Sequence, residues 1–277
     1  MNPFSEKNIG VVYKNKLLYA WFKSLHTRID LLLYGKPETE LQSVVISIVD
    51  NLEQLEKTAN YFDSDSELSN VNQTAHLQPV SLSEDLFTMI SLCLEYYQKT
   101  AGYFDITIHS ENYQTNCIQS LILDTKKQEI FFDKPGIKID LSGFLKGYAL
   151  EKAREILLEY SLQNALVNFG NSSILALGNH PNGNGWKIKT TFPSNETNND
   201  VILQNECFST SGNENNARQH VISPYTKEYV KGEGRISITS KSGIDGEVLS
   251  TALFAATPEK RNEIIANFEN VKYQTYI

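Results

Sequence analysis

Beyond the turn at Gly35 and Pro37, apolar residues fall at Leu41, Val44, Val45, Ile48, Leu52 and Leu55. Steps of three and four place them on one face of a 3.6-residue helix, so the spacing predicts an amphipathic helix that buries that stripe. A second helix opens at Ser83, whose hydroxyl can accept from the free N–H groups of a first turn, with Glu84 and Asp85 at the positive end of the helix dipole. It runs through Leu86, Ile90, Leu94 and Tyr97, stops at Gly102, and hands Tyr103, Phe104 and Asp105 to a loop. From Gln119 to Asp140 the period shortens, and residues 120–123, 129–132 and 136–139 read as three strands of a β-meander separated by Lys126, Lys127, Lys134 and Pro135. The last of these runs directly into a helix that opens near Asp140 and continues through Ala153, Ile156 and Leu157. Apolar strand-like runs follow at 165–169, 174–177, 186–190 and 235–239, then a helix over 248–256, a short helix from Pro258 to Phe268 and a final strand to Ile277. Helices and strands come in blocks rather than in strict alternation, which predicts an α+β fold. No repeat of 20 to 50 residues interrupts this order.

With 277 residues the chain has room for one large or two small domains, and the expectation is one globular unit with two lobes. Apolar types make up 40% of the residues and charged types 21%, with 13 Phe and 14 Tyr to fill a core, so disorder is not the default. The net charge of −8 offers no basic face for phosphate neutralisation, which excludes a nucleic-acid binder of the ordinary kind. The longest early apolar run, residues 17–22, is far short of the ~20 residues of a membrane span and follows no cleavable pattern, so as written the chain is expected in the cytoplasm, or in the periplasm if a leader has been removed. Cys93, Cys117 and Cys207 form an odd set with no CxxC spacing and read as reduced structural residues. Asn-rich runs at 179–185, 195–199 and 213–216 read as surface turns.

The common nucleotide and hydrolase motifs are absent: no GxxxxGK[ST], no GxGxxG after a strand, no HExxH and no GxSxG. What remains is polar residues at element ends. Asp140 and Lys146 flank a glycine-rich helix start, where free N–H groups face anions and Gly143 and Gly147 permit close approach of a ligand or another backbone. The plainer readings are an ordinary N-terminal helix carboxylate and a solvated lysine. Residues 168–173 read as a turn or as a phosphate nest. His220 begins a mixed segment after a polar loop and reads as a surface or core-edge histidine. Glu247 and Thr251, four apart on a helix, share a face and could hold a hard cation, or else are a surface Glu above a buried Thr.

Taken in order, six segments resemble the ApbE-type FAD:protein FMN transferases. Leu25-His26-Thr27 resembles the family's Met-Gly-Thr, and Phe62 to Asn72 resembles its Tyr-Asp-Pro-Asp-Ser-Glu-Leu-Ser-x-Leu-Asn run. Thr100 to Thr107 is similar to Thr-Gly-Gly-x-Phe-Asp-x-Thr, and Asp140 to Ala149 to Asp-Leu-Gly-Gly-x-x-Lys-Gly-Tyr-Ala. Thr210-Ser211-Gly212 with His220 to Thr226 follows Thr-Ser-Gly and His-x-Ile-Asp-Pro-x-Thr, and Glu247 to Phe254 follows Asp-Ala-Leu-Ser-Thr-Ala-Leu-Phe. The resemblance implies a single ApbE-like domain over residues 1–277, with antiparallel sheets packed against helices and an FAD site between two lobes. It further implies an enzyme that uses Mg²⁺ and moves the FMN part of FAD to a Thr or Ser of an acceptor flavoprotein, releasing AMP.

Residue by residue, the resemblance assigns Glu247, Thr251 and the Gly143 carbonyl to Mg²⁺, and Asp140 and Lys146 to FAD contacts. Tyr103, Phe104 and Asp105 line the nucleotide pocket, Leu25 and Phe62 pack on the flavin rings, and Val221 follows His220 along the same wall. A neutral imidazole at His220 suits deprotonation or orientation of the acceptor hydroxyl near pH 7. The departures are specific. The family's metal aspartate is Glu247, one methylene longer. Its Gly-Gly-Asp is Gly170-Asn171-Ser172, its Asp before Pro224 is Ser223, the glycine after Thr226 is Lys227, and the glycine of its first motif is His26. The stacking Tyr is Phe62, and the segment between Thr107 and Gln119 is shorter. Two other readings stand beside the transferase: a non-catalytic FAD-binding relative, and an FAD pyrophosphatase in which water replaces the acceptor hydroxyl.

Overall fold

The computed structural model describes residues 3–190, 200–213 and 219–276; the Asn-rich run at 195–199, most of that at 213–216, and Ile277 lie outside them. After a helical turn, α1 (Pro3–Glu6), the chain builds a meander of β1 (Gly10–Lys14), β2 (Leu17–Ser24) and β3 (Thr27–Tyr34). Leu18, Ala20 and Phe22 of β2 and Ile29, Leu31 and Leu33 of β3 alternate inward and are buried. Two-residue turns join the strands, with positive φ at Asn15 and Lys16 and again at Leu25 and His26, the twist-matched geometry of tight hairpins. The periodicity reading assigns no strand here, because residues 17–22 form an almost continuous apolar run in which alternation is hidden.

The chain then leaves the sheet for α2 (Glu38–Ala59), α3 (Glu67–Thr74), β4 (Val80–Ser81), α4 (Glu84–Lys99), β5 (Leu121–Asp124), β6 (Glu129–Phe132) and α5 (Ser142–Glu159). The α2 stripe is buried as its spacing predicts, and Ser83 caps α4 by accepting from Leu86 N–H at 3.3 Å. The small sheet has the order β4-β6-β5, so its third strand is Val80–Ser81 and not residues 136–139. That stretch is extended but unpaired by strands: Asn72 donates to the Ile139 carbonyl and accepts from its N–H, and Ser110 accepts from Lys138 N–H. Side chains satisfy the backbone there, and the β-rich composition does not signal this. For the same reason Asp140 follows an irregular segment rather than a strand.

The chain returns to the main sheet with β7 (Asn164–Phe169) and β8 (Ser173–Leu177), adds a small pair of β9 (Trp186–Ile188) and β10 (Val201–Leu203), and completes the sheet with β11 (Glu206–Asn213), β12 (Gly234–Ser240) and β13 (Lys272–Tyr276). Asn213 therefore ends a strand instead of opening a turn. Between β12 and β13 lie α6 (Gly243–Ala255) and α7 (Pro258–Ile265). Helix α6 begins five residues before Val248 because Ser242 supplies a cap, accepting from Asp245 N–H at 3.2 Å. The eight strands run β1-β2-β3-β7-β8-β11-β12-β13, antiparallel throughout. Helices α2, α5 and α6 pack on this sheet, and Trp186 and Leu203 cover Ile174, Ala176 and Phe208 in a separate small cluster. β8 is buried at every position because layers lie on both its faces. The fold is α+β, as the block order predicts. Among the described residues, no helix is long and apolar enough to cross a membrane.

Candidate active site

Three features bring distant parts of the chain to one place. The Gly102–Ser110 loop follows α4, and its Ile106 carbonyl accepts from Asp140 N–H at 2.8 Å, which ties that loop to the start of α5. The β7–β8 hairpin turns through Gly170 and Asn171, both at φ 61°, and so delivers Ser172 and Ser173 beside α5. Helices α5 and α6 then pack closely. A Cβ on Gly147 would lie 2.6 Å from the Gly243 carbonyl oxygen and 2.9 Å from Glu247 Cβ, so only glycine permits this approach.

The result is a cavity of about 740 Å³ at the junction of the loop, α5, the hairpin turn, β11 and α6, within the size range of small-molecule sites. Phe62, Tyr103, Phe104, Asp105, Asp140, Gly143, Lys146, His220, Val221, Glu247 and Thr251 all line it. Leu25 does not: its N–H donates to Glu56 Oε1 at 2.8 Å in the β2–β3 turn, and its side chain packs against the main core.

Polar groups in the cavity are organised around Glu247, which is only 4% exposed. Lys146 Nζ lies 2.7 Å from Glu247 Oε1, and Ser173, fully buried, donates to Glu247 Oε2 at 2.6 Å. Lys146 also donates to Ser172 at 2.9 Å and to Ser173 at 3.1 Å. Neither plain reading of this pair holds, since Glu247 is a buried, partnered carboxylate and Lys146 is directed inward. Gly143 and Thr251 meet across the helix crossing, Thr251 Oγ1 lying 3.8 Å from where a Gly143 Cβ would be, and Thr251 Oγ1 is 3.3 Å from Ser211 Oγ.

At the start of α5 Asp140 accepts from both N–H and Oγ of Ser142, as a carboxylate there should, and its Oδ2 lies 3.3 Å from His109 Nε2. Asp105 lines the cavity, yet its carboxylate is committed to the loop. Oδ1 accepts from Thr107 N–H at 2.7 Å and from its hydroxyl at 2.6 Å, while Oδ2 accepts from Tyr113 at 2.7 Å. Burial raises the Asp105 pKa, and the Thr107 and Tyr113 donors only partly oppose this. Asp105 thus shapes the loop with three of its acceptor sites while still lining the cavity.

The rim is aromatic and partly exposed. Phe62 is 69% exposed and meets His26 and Tyr61 edge-on at 5.5 and 5.3 Å. His220 is exposed at the cavity mouth. The segment after it is strapped to the loop that follows α4: Tyr225 donates to the Ala101 carbonyl at 2.7 Å, Tyr103 and Tyr225 rings lie 4.6 Å apart, and Lys227 donates to Gln114 at 2.8 Å. Ser223 is buried, and both its N–H and carbonyl pair within this strap, with Glu228 and Lys227. Residues 168–173 form a hairpin turn, with Asn168 accepting from Asn171 N–H at 2.9 Å.

The sequence reading missed His109, and it took in Ser173 only as part of the 168–173 turn, without its bond to Glu247. The two residues meet partners 31 and 74 positions away in the chain, which no local pattern encodes.

A sequence profile of the ApbE family matches residues 25–274. The chain is 26% identical over 254 residues to an FAD:protein FMN transferase of Chlamydia muridarum (strain MoPn / Nigg), covering 80% of this chain and 77% of that one. It is 25% identical over 241 residues to an FAD:protein FMN transferase of Haemophilus influenzae, covering 73% and 69%. The fold superposes on the flavin transferase ApbE from Vibrio cholerae with a TM-score of 0.80 at 17% identity, over 96% of this chain and 98% of that one. It superposes on the ApbE protein of Thermotoga maritima with a TM-score of 0.79 at 19% identity, over 94% of each. With the profile spanning nearly the whole length, the chain belongs to the ApbE family.

Proposed function

We propose that this protein is an FAD:protein FMN transferase that moves the FMN part of FAD to a Ser or Thr hydroxyl of an acceptor flavoprotein and releases AMP, with residues 1–277 acting as one unit. The observation that carries the reading is the convergence of the Lys146–Glu247 pair, Gly143, Thr251 and His220 on one cavity in a chain of this family. Phe62, Tyr103 and Phe104 offer aromatic walls to the dinucleotide, and Lys146 offers an ammonium to its pyrophosphate. In the transfer, the acceptor hydroxyl oxygen forms a bond to the FMN phosphorus while the bond from that phosphorus to the bridging oxygen of AMP breaks. His220, exposed at the mouth where an acceptor segment would arrive, takes the hydroxyl proton.

The residues present fit Mg²⁺. Among the described residues no group of three or more His, Cys, Asp or Glu could hold a metal, and the set here has one carboxylate, one hydroxyl and one carbonyl oxygen. Such a hard, singly charged set suits an ion that keeps waters and leans on substrate phosphates. Glu247, Thr251 and the Gly143 carbonyl would hold it, and its charge would offset that gathering on the leaving phosphate. The position of Lys146 on Glu247 favours a second reading, a non-catalytic FAD-binding relative whose carboxylate is already neutralised.

Chromatography of AMP, FMN and FAD after incubation with Mg²⁺, with and without an acceptor flavoprotein, separates the readings. AMP formed only with acceptor, together with flavin-bearing acceptor by mass, is the expected result. AMP and FMN without acceptor would mark a pyrophosphatase, and FAD bound but intact beside a proven acceptor would sink the transferase.

A further inference from the structure

His109 has no part in the reading above, yet it stands in the cavity wall beside the Asp140 carboxylate. The Asp140 N–H bond to the Ile106 carbonyl locks the backbone of its loop to the start of α5. Asp140 is itself immobilised by Ser142, so the carboxylate oxygen 3.3 Å from His109 Nε2 is a fixed anchor. The Tyr61 ring flanks the imidazole at 5.9 Å between centroids. The side chain is 39% exposed and lines the cavity. Among the described residues Nδ1 has no hydrogen-bond partner. A carboxylate beside Nε2 favours the tautomer with the proton on that nitrogen, which leaves Nδ1 as an acceptor. Orientation by a carboxylate on one nitrogen, with the other nitrogen unused at a cavity wall, is the arrangement of a group that meets a ligand.

We propose that His109 is a substrate-contacting residue, held by Asp140, whose Nδ1 accepts a hydrogen bond from a hydroxyl or amino group of the bound dinucleotide. The proposal rests on the FAD reading of this cavity. His109 takes no proton in it, and the transfer chemistry stays with His220.

The test is calorimetric titration of the full chain with FAD, FMN and ADP, for the wild type, His109→Gln and His109→Ala. The Gln amide can still reach Asp140 but leaves nothing in the place of Nδ1. The expected result is FAD affinity weakened about threefold to tenfold in both variants, the scale of one hydrogen bond, with unchanged melting temperature for His109→Gln. A parallel loss with FMN would place the donor on the flavin half, and a parallel loss with ADP would place it on the adenylyl half. Wild-type affinity in His109→Gln would overturn the proposal even if His109→Ala binds weakly, because His109 would then act only through Asp140. A wild type that binds no FAD would instead remove the flavin reading itself.

Discussion

Glu247 carries its carboxylate one methylene further from α6 than the aspartate of the family pattern, and the structure shows where that length goes. One oxygen meets Lys146 and the other meets Ser173, so both are held although the residue is almost wholly buried. A buried charge left with one partner fewer is costly, which makes the two contacts separable by mutation. Ser173→Ala removes a hydrogen bond to a charged group, worth about 1.5–3 kcal/mol. Urea unfolding should show a loss on that scale, and AMP release should require more Mg²⁺ for half-maximal rate. An unchanged Mg²⁺ dependence would mean that Ser173 does not position Glu247. Glu247→Gln keeps the length but deletes the charge, and kcat/KM for AMP release should fall by at least about 10²-fold, the usual scale for a lost electrostatic group in a site. Glu247→Asp restores the family residue, and retention of substantial activity in both Glu and Asp forms would show that the longer side chain serves as well. If activity rises from nothing only with Asp, the natural chain is degenerate.

Two helices set these distances, and their glycines are not equivalent. Gly147 meets backbone across the α5–α6 crossing, with a would-be Cβ 2.6 Å from the Gly243 oxygen. At Gly143 a Cβ would meet only Phe104 and Thr251 side chains, at 3.4 and 3.8 Å. Alanine gains about 1 kcal/mol over glycine within a helix, but overpacking against backbone costs about 1–3 kcal/mol. Gly143→Ala should therefore be neutral to stabilising by up to about 1 kcal/mol, whereas Gly147→Ala should be net destabilising and should lower activity by forcing Glu247 away from Lys146. Equal unfolding midpoints for the two variants in urea would refute this account. At this scale much was legible beforehand. Helices α2 and α4 were readable because each presents an unbroken stripe at 3.6-residue spacing, and Ser83 supplies the cap. The β1–β3 meander was hidden in a continuous apolar run, and residues 136–139 looked like a strand because side-chain bonds from Asn72 and Ser110 leave no mark on composition.

For the molecule as a whole, the cavity draws on residues from Phe62 to Thr251, assembled by a chain that leaves the sheet after β3, forms most of the helices, and returns at β7 to pair with β3. No local pattern reports such a convergence, and only the ordered motifs of a family resemblance pointed to it; of the site residues they named, all but Leu25 line the cavity. Asp105 is the clearest case of a motif residue that serves the fold as a whole. It fixes the loop bearing Tyr103 and Phe104 through Thr107 and Tyr113, and burial raises its pKa above the ordinary 3.8. Tyr113 remains a donor, since burial and then the Asp105 charge push its phenol up. The sign for stability follows. Well below pH 3.8 both folded and unfolded chains are protonated at this site, and it adds no pH dependence. As pH rises past that value the unfolded chain ionises first while the folded chain keeps its proton, so folding stability falls until the raised folded value is passed, and the full penalty persists above it. Asp105→Asn keeps an acceptor for Thr107 N–H and can donate to the Tyr113 oxygen, yet it cannot ionise. Its unfolding free energy relative to wild type, measured in urea at several pH values, should shift in favour of Asn on going from acid to neutral pH. A difference independent of pH would show that the buried carboxylate is not strained by its charge, and a shift toward Asp would show that its three donors outweigh burial.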